Sequence, residues 1–419
     1  MMLAQATGMN IVCRLFLVAA VSFACPFLIS GCRKDSVDAV PRVSKAKPVF
    51  GVADSMGNQK KSGDINFDFV HPDHFACLSF DVQKIISRKE LEEFPWDSVE
   101  GQLAEVVGKA NADLKKIERV WLLLDRESTA AAMEGKTAGL FVTVIQYPTA
   151  PDLEQLAAAS SERENALLKS ANSERGGDEA VSDSKKERGK LTEKPSAQSK
   201  QIVQAIGERQ IAIGSKLAVG KLESLQKPAE NSKLFRLLTQ LDFSTDVEGV
   251  IATGPVRETL KSVFGMAAQF GGDQAKKFKS LPDVLEQIEI RFSLEQADSD
   301  LLNIKAMIDD RQMIEEIVSA MRKAIEHSNA NAEPNAPLLG GMFGREFLRG
   351  RDDKDSASAK VAEEVSREIK EKNLFIVEGA DNSVSFRLQR PTKISELMRA
   401  MAEDFKRGEE DLKKAEKEH

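Results

Sequence analysis

Gln287-Ile288-Glu289-Ile290-Arg291-Phe292-Ser293-Leu294 alternates polar and apolar side chains without a break. A period of two describes a strand with one face in a core and the other in water. Leu301 to Ile308 follows as its partner, and from about Gln312 to His327 the apolar residues recur at helical spacing. Upstream, Val247-Glu248-Gly249-Val250-Ile251-Ala252-Thr253 reads as a strand. Gly254-Pro255 comes next, with proline at the first helical position, where its missing N–H costs nothing. The helix it opens carries Leu260, Val263 and Met266 and ends near Gly271-Gly272. Downstream, Leu374 to Val377 and Val384 to Leu388 flank Gly379-Ala380-Asp381-Asn382 as a β-hairpin, and a helix follows over Ile394 to Lys406.

The same order of elements occurs earlier in the chain. Phe75 to Phe80 reads as a strand, and Val82 to about Lys109 as helical with a break at Pro95. Two strands come next: Ile117 to Asp125, centred on Val120-Trp121-Leu122-Leu123-Leu124, and Gly139 to Tyr147. A helix begins near Asp152, a hairpin joins Ile202–Ile206 to Gln210–Ile213 through Gly207-Glu208-Arg209, and Leu217 to Gln226 is helical. The offsets are 174 from Val82 to Val256, 171 from Ile117 to Ile288 and 172 from Gly207 to Gly379, against 162 from Val142 to Ile304. The expected fold is α+β: two similar modules, each a mainly antiparallel sheet with helices on one face. The first module spans 73–228 with a disordered insertion at 161–200, and the second spans 240–406 with a flexible insertion at 329–372. The first insertion is charged and has no aromatic residue, so it buries too little apolar surface to offset ordering entropy, and the second reads as a mobile polar loop around one apolar cluster. Residues 407–419 read as a charged, solvated tail.

The amino terminus has a different character. Arg14 precedes an apolar run from Leu15 to Ile29, interrupted by Pro26 and shorter than the roughly 20 residues of a membrane-spanning helix. That is the layout of a secretory signal peptide, here 1–31. Ile29-Ser30-Gly31-Cys32 resembles the lipobox of bacterial lipoproteins, in which the cysteine thiol receives a diacylglycerol and the chain is cut just before it. The resemblance implies lipidation of Cys32 and a partner in the membrane itself. Two or more acyl chains anchor stably where one does not. Arg33 at the second mature position resembles the pattern exported to the outer membrane, which implies a lipid-anchored envelope protein facing the periplasm. Translation from Met9 would leave a more compact leader. Residues 32–72 are rich in Lys, Ser, Asp, Gly and Pro and read as a disordered tether. The body resembles exported α+β proteins common in planctomycete-type bacteria, which implies a fold and a compartment but no activity.

Lys+Arg number 59 against 66 Asp+Glu, a net charge of −7, and aromatics make up only 6%. No nucleic acid is expected as a partner, because both the electrostatic attraction and the stacking platforms are lacking. Of the four cysteines only Cys77 lies in the body, within Phe75-Ala76-Cys77-Leu78, and reads as a packing thiol. His71-Pro72-Asp73-His74 offers two imidazoles and a carboxylate, but without a second cluster it reads as a polar turn and no metal site or cofactor is expected. Asp81 and Asp125 end strands and could share a cleft as paired carboxylates, although Asp81 suits a helix N-cap better. Trp96 and Trp121 read as core. Markers of serine, phosphate-loop and zincin chemistry are missing, so no catalytic residue is assigned. The apolar residues Met342, Phe343, Phe347 and Leu348 inside the polar second insertion are candidates for partner contact. The expected function is therefore a non-catalytic binding or scaffolding role, with an envelope protein as the expected partner. The alternatives are an envelope hydrolase with a site between the modules, and a periplasmic chaperone or assembly factor.

Overall fold

The computed structural model describes residues 65–127, 141–162, 201–223, 225, 229–270, 276–295, 299–330 and 357–418. Within them the apolar and alternating runs form ten strands: β1 (His74–Asp81), β2 (Arg119–Asp125), β3 (Phe141–Gln146), β4 (Gln201–Ile206), β5 (Gln210–Ser215), β6 (Val247–Ala252), β7 (Leu285–Phe292), β8 (Asp300–Ile308), β9 (Phe375–Ala380) and β10 (Ser383–Gln389). Helices connect and flank them: α1 (Val82–Ile86), α2 (Trp96–Val107), α3 (153–162), α4 (Lys216–Glu223), α5 (Lys233–Leu238), α6 (Arg257–Phe270), α7 (Leu281–Val284), α8 (Arg311–Ala330), α9 (Ala357–Glu371) and α10 (Ile394–Glu418). The fold is α+β with antiparallel pairing, as expected.

The strands form one sheet in the order β4-β5-β3-β2-β1-β6-β7-β8-β10-β9. Counted outward from the centre, each half runs through its five strands in the same order, and the halves join where β1 pairs with β6. Gly249 sits in that seam opposite Leu78. A Cβ there would lie 2.5 Å from Leu78 Cδ1 and 2.8 Å from the Cys77 carbonyl oxygen, which no real side chain tolerates. Gly249→Ala is therefore expected to cost about 1–3 kcal/mol through overpacking. Urea denaturation would read the loss, and an unchanged midpoint would mean that the seam relaxes freely.

The two faces of the sheet are covered differently. On one face α2 and α3 pack Val107 and Leu156 against Ile145, Ile211 and Ile213 of the first half. On the same face α8, α9 and α10 pack Ile314, Ile317, Ile369 and Leu397 against Ile290, Ile304 and Ala306 of the second. The opposite face is apolar over the first half and β6, where α4, α5 and the segment 65–70 cover Cys77, Trp121, Leu123, Val142, Val144, Val250 and Ala252. The first half thus carries cover on both faces, beyond the one face expected.

Partly buried ion pairs bind the halves. Asp246 is almost fully buried and accepts hydrogen bonds from Arg88 Nε at 2.8 Å and Leu294 N at 2.6 Å. Arg390, just after β10, donates to Glu90 at 2.5 Å and to the Leu294 carbonyl.

Four boundaries differ from the sequence reading. Phe67, Phe69 and Val70 are buried, so the expected tether ends before 65, because these side chains close the core around Trp121. Ala357–Glu371, inside the stretch read as a flexible insertion, is helix α9 with Val365 and Ile369 buried. Its Glu368 accepts from Thr392 N, Thr392 Oγ1 and Lys372 Nζ; burial alone would raise this carboxyl, but those hydrogen bonds hold it at about 2. The charged tail continues α10 to Glu418. Gly379, expected in a turn, lies in β9 under α8, where a Cβ would meet Ile314 Cγ2 at 3.0 Å.

Candidate binding surface

Alternation puts the apolar side of β7 and β8 on the helices and leaves the other side polar. Arg291 faces Asn303 across β7–β8, Asn303 faces Arg387 across β8–β10, and Glu289 faces Lys305, which faces Ser385. These side chains are only partly buried. They form a network: Arg387 reaches Glu378 at 3.0 Å and Asp300 at 3.4 Å, Gln287 Nε2 donates to Glu289 Oε1 at 2.9 Å, and Arg291 lies 3.5 Å from Asp242. Opposite charges directly across antiparallel strands stabilise the pairing by about 0.2–1 kcal/mol each.

At one end this face dips into a shallow, open cavity of about 320 Å³, lined by Ser244, Thr245, Arg291, Ser293, Asp300 and Asn303 among others. The loop that forms its wall is held from below. Phe243 adopts a φ of 52°, unusual for a residue with a side chain, and its N–H donates to Glu248 Oε2 at 3.1 Å while Thr245 N–H donates to Glu248 Oε1 at 2.8 Å. Burial raises the Glu248 carboxyl and the nearby Asp242 charge adds to the rise, with the Thr245 hydrogen bond opposing. Burial alone would raise Asp242, but the Ser244 hydroxyl and N–H hydrogen bonds and Arg291 bring it below the usual range. Ser244 Oγ donates to Asp242 at 2.8 Å and Thr245 Oγ1 donates to the Val247 carbonyl at 3.0 Å. Asn303 Oδ1 is buried without a hydrogen-bond partner among the described residues. The arrangement can recognise polar groups by hydrogen bonds and charge.

A second charged cluster lies at the start of β1. His71 N–H donates to His74 Nδ1 at 3.0 Å and Asp73 N–H donates to His71 Nδ1 at 3.1 Å, so the turn uses these ring nitrogens to fold itself. Lys221 Nζ sits among Glu127, Asp125 and Asp73 at 2.9, 3.1 and 3.4 Å. Burial lowers its pKa, but hydrogen bonds to Glu127 and Asp125 raise it on balance. Asp81 caps α1, accepting from Lys84 N at 3.0 Å. It cannot share a cleft with Asp125, because β1 pairs His74 with Asp125 and Asp81 with Arg119. A rise of about 3.3 Å per residue puts the two carboxylates about 20 Å apart.

Cys77 is fully buried and burial raises its thiol pKa, as a packing residue requires. Trp121 is fully buried, while Trp96 packs partly buried at the edge of two core clusters. Cys32, Met342, Phe343, Phe347 and Leu348 lie outside the described residues. The sequence reading passed over Arg291, Asn303 and Arg387, whose one signal is their place on the polar side of alternating strands. No helix among the described residues is long and apolar enough to cross a membrane.

No family model and no curated protein matches this chain. The solved structures that align with it include two of TP0453: crystal form I with a TM-score of 0.30, 9% identity, 80% of this chain and 97% of that one; and crystal form III with a TM-score of 0.30, 11% identity, 81% of this chain and 99% of that one. At that TM-score the likeness carries no argument about fold or function.

Proposed function

We propose that this chain is a lipid-anchored protein of the cell envelope, held through Cys32 and facing the periplasm, with a non-catalytic binding or scaffolding role. The observation that carries the reading is the lipobox-like Ile29-Ser30-Gly31-Cys32 behind an apolar run too short to span a bilayer. The partly buried polar face of β7, β8 and β10 supports a recognition surface, since it opens into a cavity lined by Ser244, Thr245, Arg291 and Asn303 and leaves Asn303 Oδ1 without a hydrogen-bond partner among the described residues. The common strand order of the two halves supports one module used twice.

Membrane fractionation tests the anchor. Cys32→Ser is expected to move the protein from the membrane pellet to the soluble envelope fraction, with loss of labelling by an alkyne fatty acid. Retention of the variant in the pellet would refute lipidation.

A further inference from the structure

The two edges of the sheet are treated differently. β9 carries Glu378, and Arg322 on α8 donates to its Val377 carbonyl at 2.8 Å, two devices that keep another strand away. β4, at the other edge, reads Gln201-Ile202-Val203-Gln204-Ala205-Ile206 with no charge, proline, glycine or bulge. Among the described residues no strand pairs with its outer side. The cores on both faces reach this edge only half closed: Ile202 is partly buried on the face of α4, and Val203 and Ala205 are partly buried on the face of α3.

We propose that β4 is the docking edge for a second copy of this chain, the two β4 strands pairing antiparallel about a two-fold axis through Gln204. In an antiparallel pair, opposed residues lie on the same face. Centring on Gln204 sets Ile202 against Ile206 of the second copy, Val203 against Ala205, and Gln204 against itself. Apolar meets apolar on both faces, both cores continue across the axis, and the two amides hydrogen-bond to each other. Centring on Val203 instead sets Ile202 against Gln204 and leaves Ile206 unmatched. A two-fold pairing closes after two copies, whereas β4 on β9 would propagate into a filament, and the protected β9 edge disfavours that. The inference holds whether or not Cys32 carries lipid.

The test uses the full chain purified in detergent. Analytical ultracentrifugation is expected to give a dimer. Gln204→Lys places two ammonium groups face to face and is expected to raise the dissociation constant about tenfold or more. Mixing Gln204→Lys with Gln204→Glu restores the dimer, which separates the effect from misfolding. Gln204→Cys is expected to give a disulfide-linked dimer under mild oxidant, above the wild-type background. A monomer at all concentrations, or a dimer indifferent to Gln204→Lys, overturns the proposal. Cross-linking by Val203→Cys but not by Gln204→Cys overturns the register.

Discussion

Trp121→Ala is expected to destabilise the fold by about 3–5 kcal/mol, the range for truncating a large buried aromatic. Trp121 is fully buried and its ring contacts Phe67, Phe69 and Phe243 at centroid distances of 5.6, 5.3 and 5.4 Å. Arg119 lies over it at 5.6 Å and over Phe243 at 5.2 Å, while hydrogen-bonding Ser79 at 2.8 Å. The indole N–H donates to Gln146 Oε1 at 3.1 Å, and Gln146 in turn donates to Glu118. Alanine removes the surface against which residues 65–70 close, so that segment should lose amide-exchange protection first. Phe keeps most of the packing and drops only the hydrogen bond, so Trp121→Phe is expected to cost about 1–2 kcal/mol. Urea denaturation followed by circular dichroism measures both. Equal costs for Phe and Ala would mean that the indole hydrogen bond, and not the packing, holds this region.

Trp121 also shows what the sequence made legible. Val120-Trp121-Leu122-Leu123-Leu124 has no polar face because helices cover both sides of β2, and such a continuous run is what a doubly covered strand requires. In β7 and β8 the alternation survives because one side stays polar, so strand positions and facing were readable there from the residues alone. Three things were not. Ile65, Phe67, Phe69 and Val70 form one short apolar run at the end of a long polar stretch, and a single run of six residues is too short to separate a closing segment from a tether. Val361, Val365 and Ile369 recur at helical spacing, but the charges between them in α9 make the segment resemble the insertion around it. Nothing local says that β1 pairs with β6, since apolar strands in two separate sheets would read the same. The polar surface was hidden for a related reason: Arg291 and Asn303 differ from merely solvated residues only through neighbours that the fold brings from elsewhere.

Lowering the pH from 7 to 4.5 is expected to cost the protein about 3 kcal/mol through His74 alone. The imidazole is almost fully buried, and that burial holds its pKa at about 3, below the ordinary 6.5. Asp125 and Asp73 pull it up, and His71 and Lys221 push it down. Its Nδ1 accepts from His71 N–H, while its Nε2 is buried without a partner among the described residues and gains nothing from a charge. Between about pH 6.5 and 3 the unfolded chain therefore binds a proton that the folded chain refuses. Stability is fully present above the unfolded pKa and falls by about 1.4 kcal/mol per unit below it, until the folded pKa is reached. Glu368, held at about 2, begins to add losses only as the pH falls through the ordinary carboxylate value near 4.5, and it is present in both proteins, so it drops out of the comparison. Glu248, raised by burial, works in the opposite direction, but equally in any variant that leaves it in place. His74→Gln keeps an acceptor for the His71 N–H and removes the titration. Urea denaturation at several pH values between 7 and 4.5 should show the wild type losing about 3 kcal/mol more than His74→Gln. Parallel pH profiles for the two proteins would mean that His74 takes up its proton without leaving the core.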